Sequence, residues 1–567
     1  MRFAACGISV EWGSLIMAKK PVYTGTAFDS VRELLDRAVA DCPDKDAYQF
    51  RAGRGSDEVV HVTFRQFYDI NEALGASLTK MGFGSSHIAC MGENSFKWIC
   101  VYITVLKSAG VFVPIDKDLP TSDKLHLLTE SESEILFYSG KFEKWVQENQ
   151  EALPNIRYFI GFDREEDEGR FLAYNRLIEE GMKLPKDEYD ALKSDPDELK
   201  YLVYTSGTTG TAKGVMLTER NICSDVHYGL TCSHLYSVGL SVLPYHHTYE
   251  AVVNILGSMH NHATLCINQN MREIVKDMQL FHPEYTFLVP AIAQFMVNSF
   301  RKNIRQQGKE EQFERAIKAS NKIGRFGIDI RRIVFKSVHE VFGGNMQKIL
   351  CGGAYSPPEL GEFFSSIGLV YCIGYGITEC SPLVAGNPDG DCTPDTVGFK
   401  LDCLELRLDE PNEEGIGEIC VKGDTVMKGY YKNPEATAEA IRDGWFYTGD
   451  YGKFNETGHL MITGRKKNII ILDNGKNIYP EEIENYINRI PYIEEVVVRG
   501  VKNEQGIETE LMAEVYLGDD NDHTEVEIQA DIWQEMKELP SYKMIRKVVI
   551  RDEPFPKTTT NKIKRNV

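Results

Sequence analysis

The sequence predicts an α/β protein in which a large first body is followed by a small α+β unit, and three observations carry that prediction. From Val31 to Tyr371, segments of helical period alternate with short apolar runs, the pattern of strands covered by helices. Near Val397 the chain changes to short alternating strands, Leu404 to Leu408, Gly417 to Gly423 and His459 to Ile462, separated by Gly, Asn and Asp turns, as in a small barrel-like subdomain. At GRKKN, Gly464 to Asn468, the pattern resets into a last unit, which divides the chain into residues 17–465 and 466–567.

Taken in order, Leu34, Leu35 and Ala38 share a helical face over Val31 to Ala40, and Phe67, Ile70, Leu74 and Leu78 share one over Phe64 to Met81. A strand at His87 to Met91, a helix at Ser95 to Ser108 and a strand at Gly110 to Ile115 form a strand, helix, strand unit that builds parallel sheets. The acidic stretches at 163–169 and 186–198 read as solvated connections. A strand at Leu199 to Val203 runs into a glycine- and hydroxyl-rich loop, after which Val215 to Leu217 is again a strand and Thr218 an N-cap. Ile292, Phe295, Met296 and Phe300 stand at helical spacing and are expected in the core. The last unit begins with a strand at Ile469 to Leu472. Its helix has Pro480 in the first turn with Glu481 and Glu482 beside it, and strands follow at Val496 to Val498 and Leu511 to Leu517.

At 567 residues the chain exceeds one ordinary core. Its net charge of -21 sets nucleic acid and anionic surfaces aside as nonspecific partners of the whole body, though local basic patches remain compatible with it. The 13 cysteines form no CxxC pair or zinc-like cluster, so free thiols in a reducing compartment are expected. The apolar run Ile99 to Ile115 is broken by Lys107 and Gly110, so no membrane span is expected, nor a signal peptide after Arg2. Translation starts at Met1 or at Met17.

The most informative stretch is YTSGTTGTAKG, Tyr204 to Gly214. Gly207, Gly210 and Gly214 let backbone N–H groups approach an anion, Thr205, Ser206, Thr208 and Thr209 add hydroxyl donors, and Lys213 adds a charge. The spacing is not that of a Walker loop. Four further stretches add chemistry. CGGAY (Cys351 to Tyr355) bares backbone at Gly352 and Gly353, and YGITE (Tyr375 to Glu379) supplies an aromatic face, a hydroxyl and a carboxylate. WFYTGD (Trp445 to Asp450) ends on an acid suited to ribose hydroxyls, and PKTTTNK (Pro556 to Lys562) carries a terminal lysine. In LPYHHTYE, Leu243 to Glu250, the group His246, His247 and Glu250 mimics metal ligands, but no further Cys or His supports a metal there.

In this order and at these intervals the motifs resemble the adenylate-forming superfamily of acyl-CoA synthetases, luciferases and peptide-synthetase adenylation domains, from about Thr26 to Arg565. LPYHHTYE, CGGAYSPPEL, GYGITECSP and KNIYPEEIE look most like bacterial long-chain fatty acyl-CoA ligases. The resemblance implies stacked α/β sheets in the N-terminal domain and a mobile C-terminal domain. It also implies ATP-dependent conversion of a fatty acid to acyl-AMP and then, with CoA, to acyl-CoA; the alternative acceptor is a separate acyl carrier protein. Amino-acid activation is disfavoured because HHTYE stands where those relatives place an aspartate for the substrate amine, and a fused carrier because Val567 follows Lys562 so closely.

By the same resemblance, Thr205, Ser206, Gly207, Thr208, Thr209, Gly210 and Lys213 wrap the β- and γ-phosphates. Gly352, Gly353, Ala354, Tyr375 and Gly376 hold the adenine, and Thr378 lies near the phosphates. Glu379 binds Mg²⁺, a hard cation that prefers carboxylate oxygen. Asp450 and Arg465 meet the ribose, Lys467 is the hinge, Gly475 lines the CoA path, Lys562 serves adenylation, and His247 is assigned to the acyl pocket. Ala212, Asn561 and Asn477 depart from the usual proline, glycine and arginine. The apolar stretch Phe287 to Phe300 is the alternative lining of an acyl tunnel. The expected location is the cytoplasm, with peripheral attachment to a membrane. The acyl chain length and the oligomeric state are not specified by these motifs.

Overall fold

The computed structural model describes residues 23–565 apart from 24, 54, 206–211, 325, 474–476, 503–507, 519–521, 538 and 558–562. Two large sheets organise the first domain. One has nine strands in the order 399–400, 383–386, 370–376, 348–351, 285–288, 238–241, 264–267, 46–51 and 59–63. The other has eight, in the order 429–430, 213–218, 199–205, 111–115, 87–91, 135–138, 158–161 and 171–173. Their central pairs are parallel, as the strand, helix, strand unit at 87–115 requires, with His87 opposite Val111 and Met91 opposite Ile115. Antiparallel strands close the edges; 213–218 folds straight back on 199–205.

The expected helices form where their apolar faces and caps demand. Val31–Asp41 buries Leu34, Leu35 and Ala38 behind the Ser30 cap, and Phe64–Lys80 starts on a reciprocal capping box between Thr63 and Gln66. Phe96–Lys107 is apolar all round and lies between the sheets. Its Trp98 meets Phe112 of the eight-stranded sheet edge-on at 5.0 Å and Tyr245 at 5.2 Å. One contiguous core therefore spans both sheets, and each such ring removes about 150–250 Å² from water.

Residues 404–465 form the β-subdomain, in which Trp445–Phe454 pairs with both Gly417–Gly423 and Leu460–Arg465. In the C-terminal domain, helices Pro480–Ile487 and Glu525–Glu535 cover a sheet of Glu495–Lys502, Glu508–Tyr516 and Ile545–Ile550 around a core of its own. Pro480 opens its helix with Glu481 and Glu482 in the first turn, where the helix dipole favours carboxylates.

One expectation needs correction. Along Pro290–Gln306 only one face is core: Met296 is buried, whereas Phe295 is 67% exposed, because helical period brings it to the outer side. Tyr249–Leu256 is a π-helix, with Glu250 in its first turn and His246 and His247 just before it. Glu250 turns into the core and accepts hydrogen bonds from Ser241 Oγ and from Asn254 Nδ2, while His246 Nε2 lies 3.6 Å from Asp116. Among the described residues no His, Cys, Asp and Glu group of metal-binding size occurs, and the described cysteines are free thiols. No described helix is long and apolar enough to cross a membrane.

Candidate active site

Residues Ser206, Gly207, Thr208, Thr209 and Gly210 lie outside the described residues, but both ends of their loop are placed. Thr205 pairs with Lys213 across the antiparallel ladder, and the chain then runs back as Lys213–Thr218. A third strand, Gly429–Tyr430, adds to that ladder with Tyr430 opposite Val215, and Tyr431 N–H donates to Gly214 O at 2.7 Å. This short strand brings the β-subdomain to the loop. The Lys213 ammonium sits over the Tyr430 ring, 4.9 Å from its centroid, and the Tyr430 hydroxyl donates to Glu379 Oε1 at 2.9 Å. Burial and the Glu379 charge push the Tyr430 phenol well up, so it stays protonated and a donor. Sequence reading missed Tyr430. Its only signal is Gly-Tyr-Tyr between the subdomain strands Gly417–Gly423 and Trp445–Phe454, which no spacing rule ties to Glu379.

Glu379 and Thr378 lie on the 3-10 turn Thr378–Cys380 that ends the strand Val370–Gly376. The turn is fixed from several sides. Ile377 N–H donates to Pro382 O at 2.9 Å, Met427 N–H donates to Glu379 O at 2.8 Å, and Ser381 Oγ donates to Thr425 O at 2.8 Å. Asp225 Oδ1 accepts from Leu383 N–H at 2.7 Å, and burial pushes its carboxyl well up. Gly376 has a local reason to be glycine, since a Cβ there would stand 2.4 Å from Pro382 O.

On the nucleoside side, Gly352, Gly353 and Ala354 follow the strand Lys348–Cys351. Gly353 has φ +81°, a backbone that side chains resist, and Gly353 and Ala354 are exposed. Tyr375 is nearly covered rather than offered as an open stacking face, and its hydroxyl donates to Asp450 Oδ2 at 2.7 Å. Burial and Asp450 raise this phenol as well, which keeps the proton on tyrosine. Asp450 stands directly opposite Arg465 in the hairpin register, with Arg465 Nε 2.9 Å from Asp450 Oδ1. The Asp450 charge raises the guanidinium pKa, so the cation is firmly held. Asp450 itself is buried while Arg465 is exposed, so the carboxylate has a tyrosine behind it and an arginine in front.

Arg465 leads directly into the 3-10 turn Lys466–Asn468 that carries Lys467. Lys466 pairs with Glu418 at 2.5 Å, so the turn is anchored to the subdomain on one side, and Asn468 Nδ2 donates to Glu481 on the other. Burial, then the adjacent Arg465 charge, pulls the Lys467 ammonium down. Gly475 and Lys562 lie outside the described residues.

Beside the Tyr375 strand is a largely apolar cavity of about 60 Å³, lined among others by Tyr249, Val253, Phe287, Cys372 and Gly374. Two of these residues come from the π-helix, a distortion common where helices line sites. His247 precedes that helix, its ring 4.1 Å from that of His246, and is not among the cavity's lining residues.

The comparisons with known proteins agree with this arrangement. The family described as AMP-binding enzyme matches residues 35–431, and AMP-binding enzyme C-terminal domain matches residues 482–562. Long-chain-fatty-acid–CoA ligase FadD15 of Mycobacterium bovis is 29% identical over 459 residues, covering 76% of this chain and 74% of that protein. Human long-chain-fatty-acid–CoA ligase 1 is 28% identical over 486 residues, covering 77% and 67%. Among solved structures, the anthranilate CoA ligase AuaEII in complex with anthranoyl-AMP aligns with a TM-score of 0.77 at 18% identity, over 95% of this chain and 96% of that one. A fatty acyl CoA synthetase of Mycobacterium tuberculosis aligns with a TM-score of 0.66 at 22% identity, over 94% and 97%. The large N-terminal and small C-terminal domains thus share the fold of these structures, and the chain belongs to the AMP-binding enzyme family.

Proposed function

We propose that this protein is an acid–thiol ligase that activates a long-chain fatty acid with ATP and passes the acyl group to CoA. The observation that carries the proposal is the pair of linked clusters, Tyr375–Asp450–Arg465 and Lys213–Tyr430–Glu379, set on either side of one strand end next to an apolar cavity. The relatives named as long-chain-fatty-acid–CoA ligases support the substrate class and favour CoA over a carrier protein as acceptor.

In this reading the exposed backbone at Gly353 and Ala354 receives the adenine edge, Asp450 accepts from ribose hydroxyls, and Arg465 keeps that carboxylate charged. Thr205, Lys213 and the loop at 206–211 surround the β- and γ-phosphates, with Thr378 near them. The Glu379 carboxylate, one oxygen of which is held by Tyr430, suits Mg²⁺, which typically takes one or two carboxylates and fills its remaining positions from phosphates and water. When bound, the ion would offset phosphate charge.

The acid's carboxylate oxygen attacks the α-phosphorus and pyrophosphate leaves. The CoA thiol, losing its proton, then attacks the acyl carbonyl and AMP leaves. The protein's contribution is to hold like-charged reactants in line and to place Lys213 and Lys562 against the developing charge. The acyl chain enters beside Gly374, and the cavity must widen around Tyr249 and Val253 to take a long chain. The domains divide at 465 and 466, Lys467 being the pivot that changes the C-terminal face from the Lys562 side to the Gly475 side. The enzyme works in the cytoplasm, attached peripherally to a membrane. Pyrophosphate release across a panel of free acids, with and without CoA, tests the proposal; acid-dependent release without CoA-dependent thioester would overturn the acceptor, and no release with any acid would overturn the whole reading.

A further inference from the structure

The strand Val370–Gly376, which ends at the proposed nucleotide site, carries a thiol that the chemistry described above does not use. Cys372 is buried, lines the apolar cavity together with Ile373 and Gly374, and precedes Tyr375 on the same strand. Its sulfur lies 2.9 Å from that of Cys392, and both cysteines are free thiols. Cys392 is partly exposed and belongs to the loop between the strands Leu383–Gly386 and Phe399–Lys400. That loop is held against the Cys372 strand. Asn387 N–H donates to Ile373 O at 3.0 Å, and the base of the loop is closed by Asn387 Nδ2 donating to Thr396 O at 3.2 Å and Thr396 Oγ1 donating to Asn387 Oδ1 at 3.3 Å. Asp389, in the same loop, is clamped by Lys348 Nζ at 2.6 and 2.7 Å, and Cys372 Sγ lies 3.8 Å from Asp389 Oδ1. One cysteine thus sits on a sheet strand and the other on a pinned loop that presents it.

The geometry points to Cys372 and Cys392 as a reversible disulfide site, closed by a hydroperoxide, that restricts entry of the acid into the cavity. The order of events follows from exposure. The Cys392 sulfur attacks a peroxide oxygen, the O–O bond breaks, water or an alcohol leaves with the thiol proton, and Cys392 becomes a sulfenic acid. The Cys372 sulfur then attacks that of Cys392: the S–S bond forms, the S–O bond breaks, and the Cys372 proton leaves with the hydroxide as water. The two sulfurs are oxidised by two electrons in all, the peroxide is reduced, and an external dithiol reverses the change. Hydrogen bonding with Cys392, then burial, pushes the Cys372 thiol well up, as suits a thiol that waits behind the one an oxidant meets. A disulfide measures about 2.05 Å, so closure asks the sulfurs to approach by about 0.9 Å more. Gly386 and Asn387 also line the cavity, so the bond fastens two of its walls to each other and opposes the widening that a long acyl chain needs. In a reducing compartment such a bond is transient, as a switch requires. The effect on the acid rests on the ligase reading; the disulfide itself does not.

The test treats the full chain with hydrogen peroxide, removes the excess with catalase, blocks the remaining thiols and maps the peptides by mass spectrometry. The wild type should give a linked pair of peptides containing Cys372 and Cys392, lost on adding dithiothreitol. Cys372→Ser should stop at the sulfenic acid, read as a dimedone adduct on Cys392, and Cys392→Ser should give neither product. In pyrophosphate release, oxidation of the wild type should raise the KM for a long-chain acid several-fold and leave that for ATP unchanged. Reduced Cys392→Ser and Cys392→Ala should match the reduced wild type and keep that KM after peroxide. Absence of the linked pair, pairing of either cysteine with a different thiol, or an equal response of the Cys392 variants to peroxide would overturn the inference. Inactivity of the reduced wild type with every acid would instead overturn the ligase reading, and the peptide map would still decide the disulfide.

Discussion

Removing one oxygen, in Tyr430→Phe, probes how the two halves of the site are joined. The phenol donates to Glu379 Oε1 at 2.9 Å, and its ring carries the Lys213 ammonium at 4.9 Å. Phenylalanine keeps the ring, hence the lysine contact, and deletes only the hydrogen bond. A hydrogen bond to a charged group is worth about 1.5–3 kcal/mol. Loss of a group that orients a metal-binding carboxylate typically costs ~10–100-fold in metal affinity. The expected result is therefore an apparent Mg²⁺ requirement raised about 10-fold or more, with kcat for pyrophosphate release nearly restored at saturating Mg²⁺. Tyr430→Leu, which also strips the ring from Lys213, should in addition raise the KM for ATP. The assay is initial-rate pyrophosphate release titrated with Mg²⁺ at fixed ATP, on variants of unchanged Tm. An unaltered Mg²⁺ titration in Tyr430→Phe would refute the assignment of Glu379 to the metal.

Asp450→Ala and Glu379→Ala should each cut pyrophosphate release by ~10²-fold, and extra Mg²⁺ should partly rescue only the second, measured by the same titration. Lys467→Pro should trap one domain orientation and uncouple the half-reactions, so adenylation and thioester formation assayed separately should fall unequally. Lys562→Ala should lose adenylation by ~10²–10³-fold yet convert preformed acyl-adenylate to acyl-CoA, while Gly475→Leu should do the reverse; equal loss of both halves in Lys562→Ala would remove the two-orientation reading. Glu250 is pushed up to about 8 by burial. The unfolded chain releases this proton near pH ~4.3, so stability falls as pH rises from there to the folded value, and Glu250→Gln should gain up to ~5 kcal/mol above that window and nothing below it, read from Tm against pH.

Local grammar made much of the fold legible. Thr218 is an N-cap because its hydroxyl can accept from Asn221 N–H, and Pro480 starts a helix because its missing N–H is not needed there; both facts hold within a few residues of chain. The strand at 87–91 and its parallel partner at 111–115 were legible for the same reason, since the helix between them sets their direction. What the sequence could not convey is long-range pairing. Nothing local says that Asp46–Arg51 joins Thr264–Ile267, or that Gly429–Tyr430 leaves the β-subdomain to finish the sheet of the phosphate loop. The site residues divide the same way. Motifs single out Asp450 and Arg465, but their direct opposition depends on a hairpin register containing a bulge. Tyr430 was missed because its role exists only once that distant strand is in place. Phe295 was misread because periodicity identifies an apolar face without saying whether anything covers it.

The register at Arg465 also bears on how one small domain serves two reactions. Arg465 is the last residue of its strand, and its guanidinium holds the buried Asp450 carboxylate, while the next residue, Lys466, is pinned to Glu418. The large domain is thus fixed up to the residue before Lys467. Beyond it, helix Pro480–Ile487 rests against the strand Leu460–Arg465 next to the proposed pivot, with the Tyr451 and Tyr479 rings 5.7 Å apart, and Arg489 meets Glu359 at 3.1 Å further out. The exposed Arg489–Glu359 pair contributes about 0–1 kcal/mol, so the contacts a rotation would have to break are chiefly those beside the proposed pivot. In the proposed reading, a rotation at Lys467 would exchange the faces of the C-terminal domain while Arg465, Asp450 and Tyr375 keep the nucleoside in place. The adenylate made in the first step would then need no release before the second, because the groups proposed to hold its AMP moiety all precede the proposed pivot, and the two proposed to distinguish the reactions, Lys562 and Gly475, follow it.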